Sequence, residues 1–109
     1  MDITGWRQKI DEIDRKLVEL LGERARAVHE IGKLKALAGL PAYEPAREKA
    51  VFNNARNANR GELADRDLLR IYERIVDVMR QSEMDEMGVP KPPPSDGLGD
   101  TELDPEVND

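Results

Sequence analysis

The sequence predicts an all-α protein with three helices, one long and two shorter, followed by an acidic tail without regular structure. Three observations carry that expectation. Ala, Leu, Glu, Arg and Lys dominate while strand formers are sparse, and Trp6, Tyr43, Phe52 and Tyr72 are the only aromatic residues. Apolar residues recur at intervals of three and four, the period of a helix face. The charged fraction of 37% suits long helices with one dry face and one wet face.

The first helix runs from Thr4 to about Ala38. Its apolar residues are Ile10, Ile13, Leu17, Leu20, Leu21, Ala27, Val28, Ile31 and Leu34, and no proline interrupts them. Gly22 and Gly32 each weaken the helix by roughly 1 kcal/mol relative to alanine, which tertiary packing can offset. Gly39 and Pro41 stop it. A second helix starts near Pro45, since proline is favoured in a first turn where its missing N–H has no partner to lose. Its inner face is Val51, Phe52 and Ala55, with Glu48 one turn upstream, until the stretch NANRGEL breaks it. A third helix follows, with Asp65 as its expected N-cap and Leu68, Ile71, Tyr72, Ile75, Val78 and Met79 as its apolar face. It ends before Gly88.

A long helix of this kind extends about 50 Å at 1.5 Å per residue. The two shorter helices cannot cover its apolar stripe from end to end, so a homodimer intertwined around the two long helices is expected. Residues 1–87 form the expected helical domain. Residues 88–109, GVPKPPPSDGLGDTELDPEVND, are expected to be a disordered, solubilising extension.

Composition also excludes functions. The chain has no cysteine and a single histidine, His29, which removes disulfides, thiol nucleophiles, thiolate ligands and multi-histidine metal sites. No apolar run approaches a membrane span, and the start MDITGWRQKID lacks a signal-peptide core, so a soluble cytoplasmic protein is expected. The net charge of −6 sits in the tail, where six acids face one base, Lys91. The remaining 16 bases and 17 acids leave the helical part nearly neutral, which argues against nucleic acid as the main partner.

Several charges fall where an apolar stripe should exclude them. Arg24 and Lys35 lie within about 20° of each other around the first helix, beside Leu17, Leu20, Leu21, Val28 and Ile31. On the third helix Glu83 follows Met79 by one turn, and on the second Glu48 precedes Val51 and Phe52, with Arg47 beside it. Buried charges must be paired or must bind a counter-ion. One possibility is a set of structural ion pairs joining Arg24 or Lys35 to Glu48 or Glu83. The other is a pocket inside the bundle for a small dianion. Composition and periodicity leave both open.

Three pieces of sequence, in order, resemble the all-helical chorismate mutase family. They are R-x-x-I-D-x-I-D at residues 7–14, E-R at 23–24 leading to I-G-x-x-K at 31–35, and P-x-x-E-P-x-R-E at 41–48. The resemblance covers about residues 5–86 and implies the rearrangement of chorismate to prephenate, on the route to phenylalanine and tyrosine, without metal or cofactor. It implies that Arg24 binds a substrate carboxylate and that Arg7 reaches into the partner subunit's site. Lys35 is implied to contact a carboxylate and to donate to the ether oxygen. Glu48 is implied to accept from the ring hydroxyl, helped by the start of the second helix at Glu44, with Arg47 supporting the site.

The sequence departs from the family at two of these positions. Met79 stands where members often carry a small polar residue, so one carboxylate contact is expected to be missing. Glu83 stands where many members have glutamine as a hydrogen-bond donor. Flanked by apolar residues, Glu83 is expected to have a raised pKa and to donate as a neutral acid. Gln81 is the rival if the register of the third helix is shifted. His29 reads as a surface or interface residue, Trp6 as a contact to the partner, and Asn53, Asn54, Asn57 and Asn59 as a solvated helix face that frays into the turn. Tyr72 reads as core. With no second catalytic domain in view, a free-standing enzyme is expected. The alternatives are an isochorismate pyruvate-lyase on the same scaffold and a non-catalytic helical dimerisation or regulatory module.

Overall fold

A computed structural model describes residues 1–88, and the acidic extension expected beyond them lies outside the described residues. The described residues form three helices: α1 (Ile3–Ala38), α2 (Pro45–Ala58) and α3 (Asp65–Glu86). At 36 residues, α1 is about 54 Å long. It begins at Asp2, whose side chain accepts a hydrogen bond from the Gly5 N–H at 2.8 Å and so satisfies one of the first free amides. It ends at Gly39, where a φ of 70° reverses the chain and lets the Leu40 N–H reach the Lys35 carbonyl at 2.9 Å. Among the described residues, no helix is long and apolar enough to cross a membrane.

Pro45 opens α2 as expected. The cap of α3 differs from expectation: Ala64 holds that position and Asp65 is the first helical residue. The Asp65 carboxylate accepts instead from the Asn59 side-chain amide at 2.7 Å, and the same amide donates to the Leu63 carbonyl at 2.9 Å. The Asn59 side-chain oxygen accepts from the Gly61 N–H at 3.0 Å. Asn59, where the expected asparagine face frays into the turn, thus organises the α2–α3 connection. A short polar side chain that bonds nearby backbone is common in turns, and here it outweighs the cap.

α3 packs against both other helices, the carboxyl half of α1 on one side and α2 on the other. Its inward residues are Tyr72, Val76, Met79 and Glu83, at spacings of four, three and four. Ile71 and Val78, expected on that face, are exposed, and Val76 is buried in their place. The apolar residues of α3 cover more than one side of the helix, so the pattern alone did not single out which side α1 and α2 would take.

The core of one chain is small. Ala55, Val76 and Met79 are its only buried hydrophobic residues among those described, and no large side chain is fully enclosed. Residues 6–23 of α1 are all exposed, among them Ile10, Ile13, Leu17 and Leu20. Trp6 is exposed as well.

Where α1 does pack, it comes close. A Cβ on Gly32 would lie 3.3 Å from Cγ of Glu83 and 3.4 Å from its carbonyl oxygen. Gly32 thus trades helix propensity for a short α1–α3 approach. Gly32→Val is expected to force the helices apart and lower stability by roughly 1–3 kcal/mol, measured as a drop in the urea midpoint. An unchanged midpoint would show that the approach is not tight.

Candidate active site

Between the three helices lies a cleft of about 400 Å³, within the range of small-molecule sites. α1 contributes Arg24, Val28, Ile31 and Lys35 to its lining. The α1–α2 loop and α2 contribute Glu44, Arg47, Glu48 and Val51, and α3 contributes Val76, Met79, Arg80 and Glu83. Apolar walls thus carry four cations and three carboxylates.

The 11-residue interval that aligned Arg24 with Lys35 places both on the cleft side of α1. The Lys35 ammonium is 3.0 Å from Glu83 Oε2 and 3.0 Å from Glu44 Oε1, and it donates to the Ala42 carbonyl at 2.9 Å. Three acceptors match the three N–H bonds of an ammonium. Only 11% of the Lys35 side chain is exposed. Burial alone would lower its pKa, but the hydrogen bonds and charges of Glu83 and Glu44 outweigh it and raise the pKa above 10.5. Lys35 is therefore a cation throughout the neutral range.

Glu83 is buried, as its position after Met79 implied. It accepts from Lys35, however, and so stands in an ion pair rather than alone among apolar groups. Lys35 with Glu83 is one of the ion pairs that the misplaced charges left open, and the expectation of a neutral, donating Glu83 weighed only the apolar flanks of its own helix. Gln81 does not line the cleft and donates to Asp85 at 3.3 Å on the same helix.

Arg24 is half-buried and pairs with no carboxylate among the described residues. Its Nη1 donates to the Met79 sulfur at 3.0 Å. A thioether is a weak, neutral acceptor that leaves the guanidinium charge uncompensated. Arg47 is exposed at the cleft edge, also without an ion pair among the described residues. Glu44 supplies the cap position of α2 through its backbone while its carboxylate holds Lys35. Arg7 does not line the cleft. Seventeen residues of helix put it about 25 Å from Arg24.

Glu48 pairs with neither Arg24 nor Lys35. Its Oε2 accepts from Arg80 Nη1 at 2.6 Å, and Arg80 Nη2 donates to Asp77 at 2.6 Å. Arg80 was missed because it falls at the margin of the apolar stripe, where an arginine reads as solvated. The available signal was its place between Met79 and Glu83. His29, read as a surface or interface residue, is a link within the chain: its Nε2 lies 2.6 Å from Ser82 Oγ and ties α1 to α3.

Fold and cleft together define a helical domain with a charged, ligand-sized cleft at the junction of its three helices. A family model for chorismate mutase type II matches residues 6–84. The solved structure of a chorismate mutase (form II) from Thermus thermophilus superposes with a TM-score of 0.72 at 32% identity, over 74% of this chain and 92% of that one. The chorismate mutase of Methanocaldococcus jannaschii is 29% identical over 72 residues, 65% of this chain and 73% of that protein. The bifunctional chorismate mutase/prephenate dehydratase of Neisseria gonorrhoeae is 37% identical over 70 residues, 64% of this chain and 19% of that protein. The chain belongs to the type II chorismate mutase family. It spans about a fifth of the length of the bifunctional relatives it matches.

The Lys35 node makes stability depend on pH in a defined direction. A cation whose pKa is raised on folding stabilises the fold fully below the unfolded value and loses that contribution as pH rises through the folded one. Urea unfolding should therefore show wild type more stable than Lys35→Met at neutral pH, with the gap closing above about pH 10.5. A gap that stays constant through that range would mean that the ammonium charge is not what holds the node.

Proposed function

We propose that the protein converts chorismate to prephenate, as a homodimer whose two sites each draw residues from both chains. The observation that carries this reading is Arg24, a half-buried guanidinium facing the cleft with only the Met79 sulfur as its partner among the described residues. A structural ion pair needs a carboxylate that Arg24 lacks. A guanidinium left in this state offers a bidentate face to a ligand carboxylate. Family membership supports chorismate as that ligand.

The chemistry suits the residues. In chorismate the ether C–O bond breaks as a new C–C bond forms, so no nucleophile is needed and no proton is transferred. The protein has to hold the folded conformer of the dianion and stabilise negative charge growing on the ether oxygen. Arg24 takes one carboxylate, with Arg47 beside it. Lys35, kept charged by its neighbours, turns the N–H now on the Ala42 carbonyl to the ether oxygen and attracts the adjacent carboxylate through its charge, while Glu83 and Glu44 hold its ammonium in place. Glu48 accepts from the ring hydroxyl at the start of α2. The site works in the cytoplasm and needs no cofactor.

Two features support a dimer. The amino-terminal half of α1 has an uncovered apolar face, which a second α1 can bury. Arg7 lies on that half, too far from its own Arg24 for a shared pocket but within reach of the other chain's cleft if the two helices run antiparallel.

Loss of chorismate absorbance tests the activity. Wild type is expected to consume chorismate but not isochorismate, and Arg24→Ala to lose roughly a hundredfold or more in kcat/KM. Equal rates for the two proteins would remove Arg24 from the site, and a wild type inert toward chorismate would leave the isochorismate lyase if isochorismate is consumed, and a helical interaction module if it is not. Mixing Arg7→Ala with Arg24→Ala chains tests the shared site. One intact site forms per mixed dimer, so roughly a quarter of wild-type activity should return on random exchange. No recovery would place Arg7 outside the partner's site.

A further inference from the structure

We propose that Arg80 is a positioning residue that fixes Glu48 for the substrate's ring hydroxyl and keeps it away from the substrate-binding cations. The inference rests on the mutase reading given above and adds a residue to it. Arg80 is held on three sides. Its Nη1 donates to Glu48 Oε2 at 2.6 Å, its Nη2 donates to Asp77 at 2.6 Å, and its guanidinium carbon lies 5.1 Å from the centre of the Tyr43 ring. These partners come from α2, from α3 itself and from the α1–α2 loop. A planar guanidinium fastened in this way has little rotational freedom left, so it acts as a rigid bracket for the carboxylate it meets.

The bracket does two things to Glu48. It engages one carboxylate oxygen, Oε2, and leaves Oε1 without a hydrogen bond among the described residues, available to accept from a hydroxyl in the cleft. It also compensates the Glu48 charge locally. The Glu48 side chain is 22% exposed and lines the same cleft as Arg24 and Arg47. Without Arg80, the uncompensated carboxylate is drawn toward those guanidinium groups and competes with a dianionic substrate for them. Both effects act on bound substrate and transition state alike, so the loss should fall on KM more than on kcat.

Steady-state kinetics with chorismate test this. Arg80→Met is expected to raise KM roughly ten- to a hundredfold, with kcat changed far less, and Arg80→Lys to recover much of the loss because it keeps the charge and one donor. In a Glu48→Gln background, Arg80→Met should add little, since the carboxylate it positions is gone. A purely structural Arg80 would instead lower the melting temperature and the active fraction at unchanged KM, or show effects that add to those of Glu48→Gln. Either result overturns the inference while leaving the mutase reading intact. A wild type that does not consume chorismate overturns both.

Discussion

The Lys35 ammonium is the interaction on which the rest of the arrangement depends. It stands on α1, yet its three donors go to the α1–α2 loop at Ala42, to Glu44 at the start of α2 and to Glu83 on α3. One half-buried cation thus joins the three helices at the point where the cleft forms. The approach that permits it is set one turn earlier, where Gly32 lets α1 come within van der Waals reach of Glu83. Taking an ammonium out of water is costly unless every donor is met, and here each N–H has an acceptor. The same residue lines the cleft, so the group that fastens the fold also shapes the candidate site.

Around that node the charges are divided in a particular way. Glu44 and Glu83 go to Lys35, and Glu48 goes to Arg80. Among the described residues, no carboxylate is left for Arg24 or Arg47. If each cation had its own internal partner, a dianion would have to break pairs in order to enter. With two guanidinium groups unpaired, part of the attraction is available to the ligand from the outset. The Met79 sulfur on Arg24 fits the same division, because it orients the guanidinium without neutralising it.

Much of the architecture was legible in the sequence. The long uninterrupted stripe, Gly39 and Pro45 located all of α1 and the start of α2, because capping and turn chemistry are local. The misplaced charges Arg24, Lys35, Glu48 and Glu83 all line the cleft, because a charge on a dry helix face has few other places to go. Their pairing was legible only in part. Of the ion pairs the misplaced charges left open, Lys35 with Glu83 formed, whereas Glu48, expected opposite α1, met Arg80 on α3. Which charge meets which depends on how the helices rotate about their axes. The apolar residues of α3 cover too wide an arc to fix that rotation, as the exposure of Ile71 and Val78 and the burial of Val76 illustrate. His29 was misplaced for a related reason, since it finds its partner beyond its own helix.

The most direct test of the account is the identity of the product formed from chorismate. Incubating the purified protein with chorismate at neutral pH and following the mixture by proton NMR should show chorismate disappearing as prephenate appears in equal amount, with no pyruvate released. Unchanged chorismate beyond its spontaneous decay, or pyruvate among the products, would contradict the claim that the cleft holds this dianion for rearrangement.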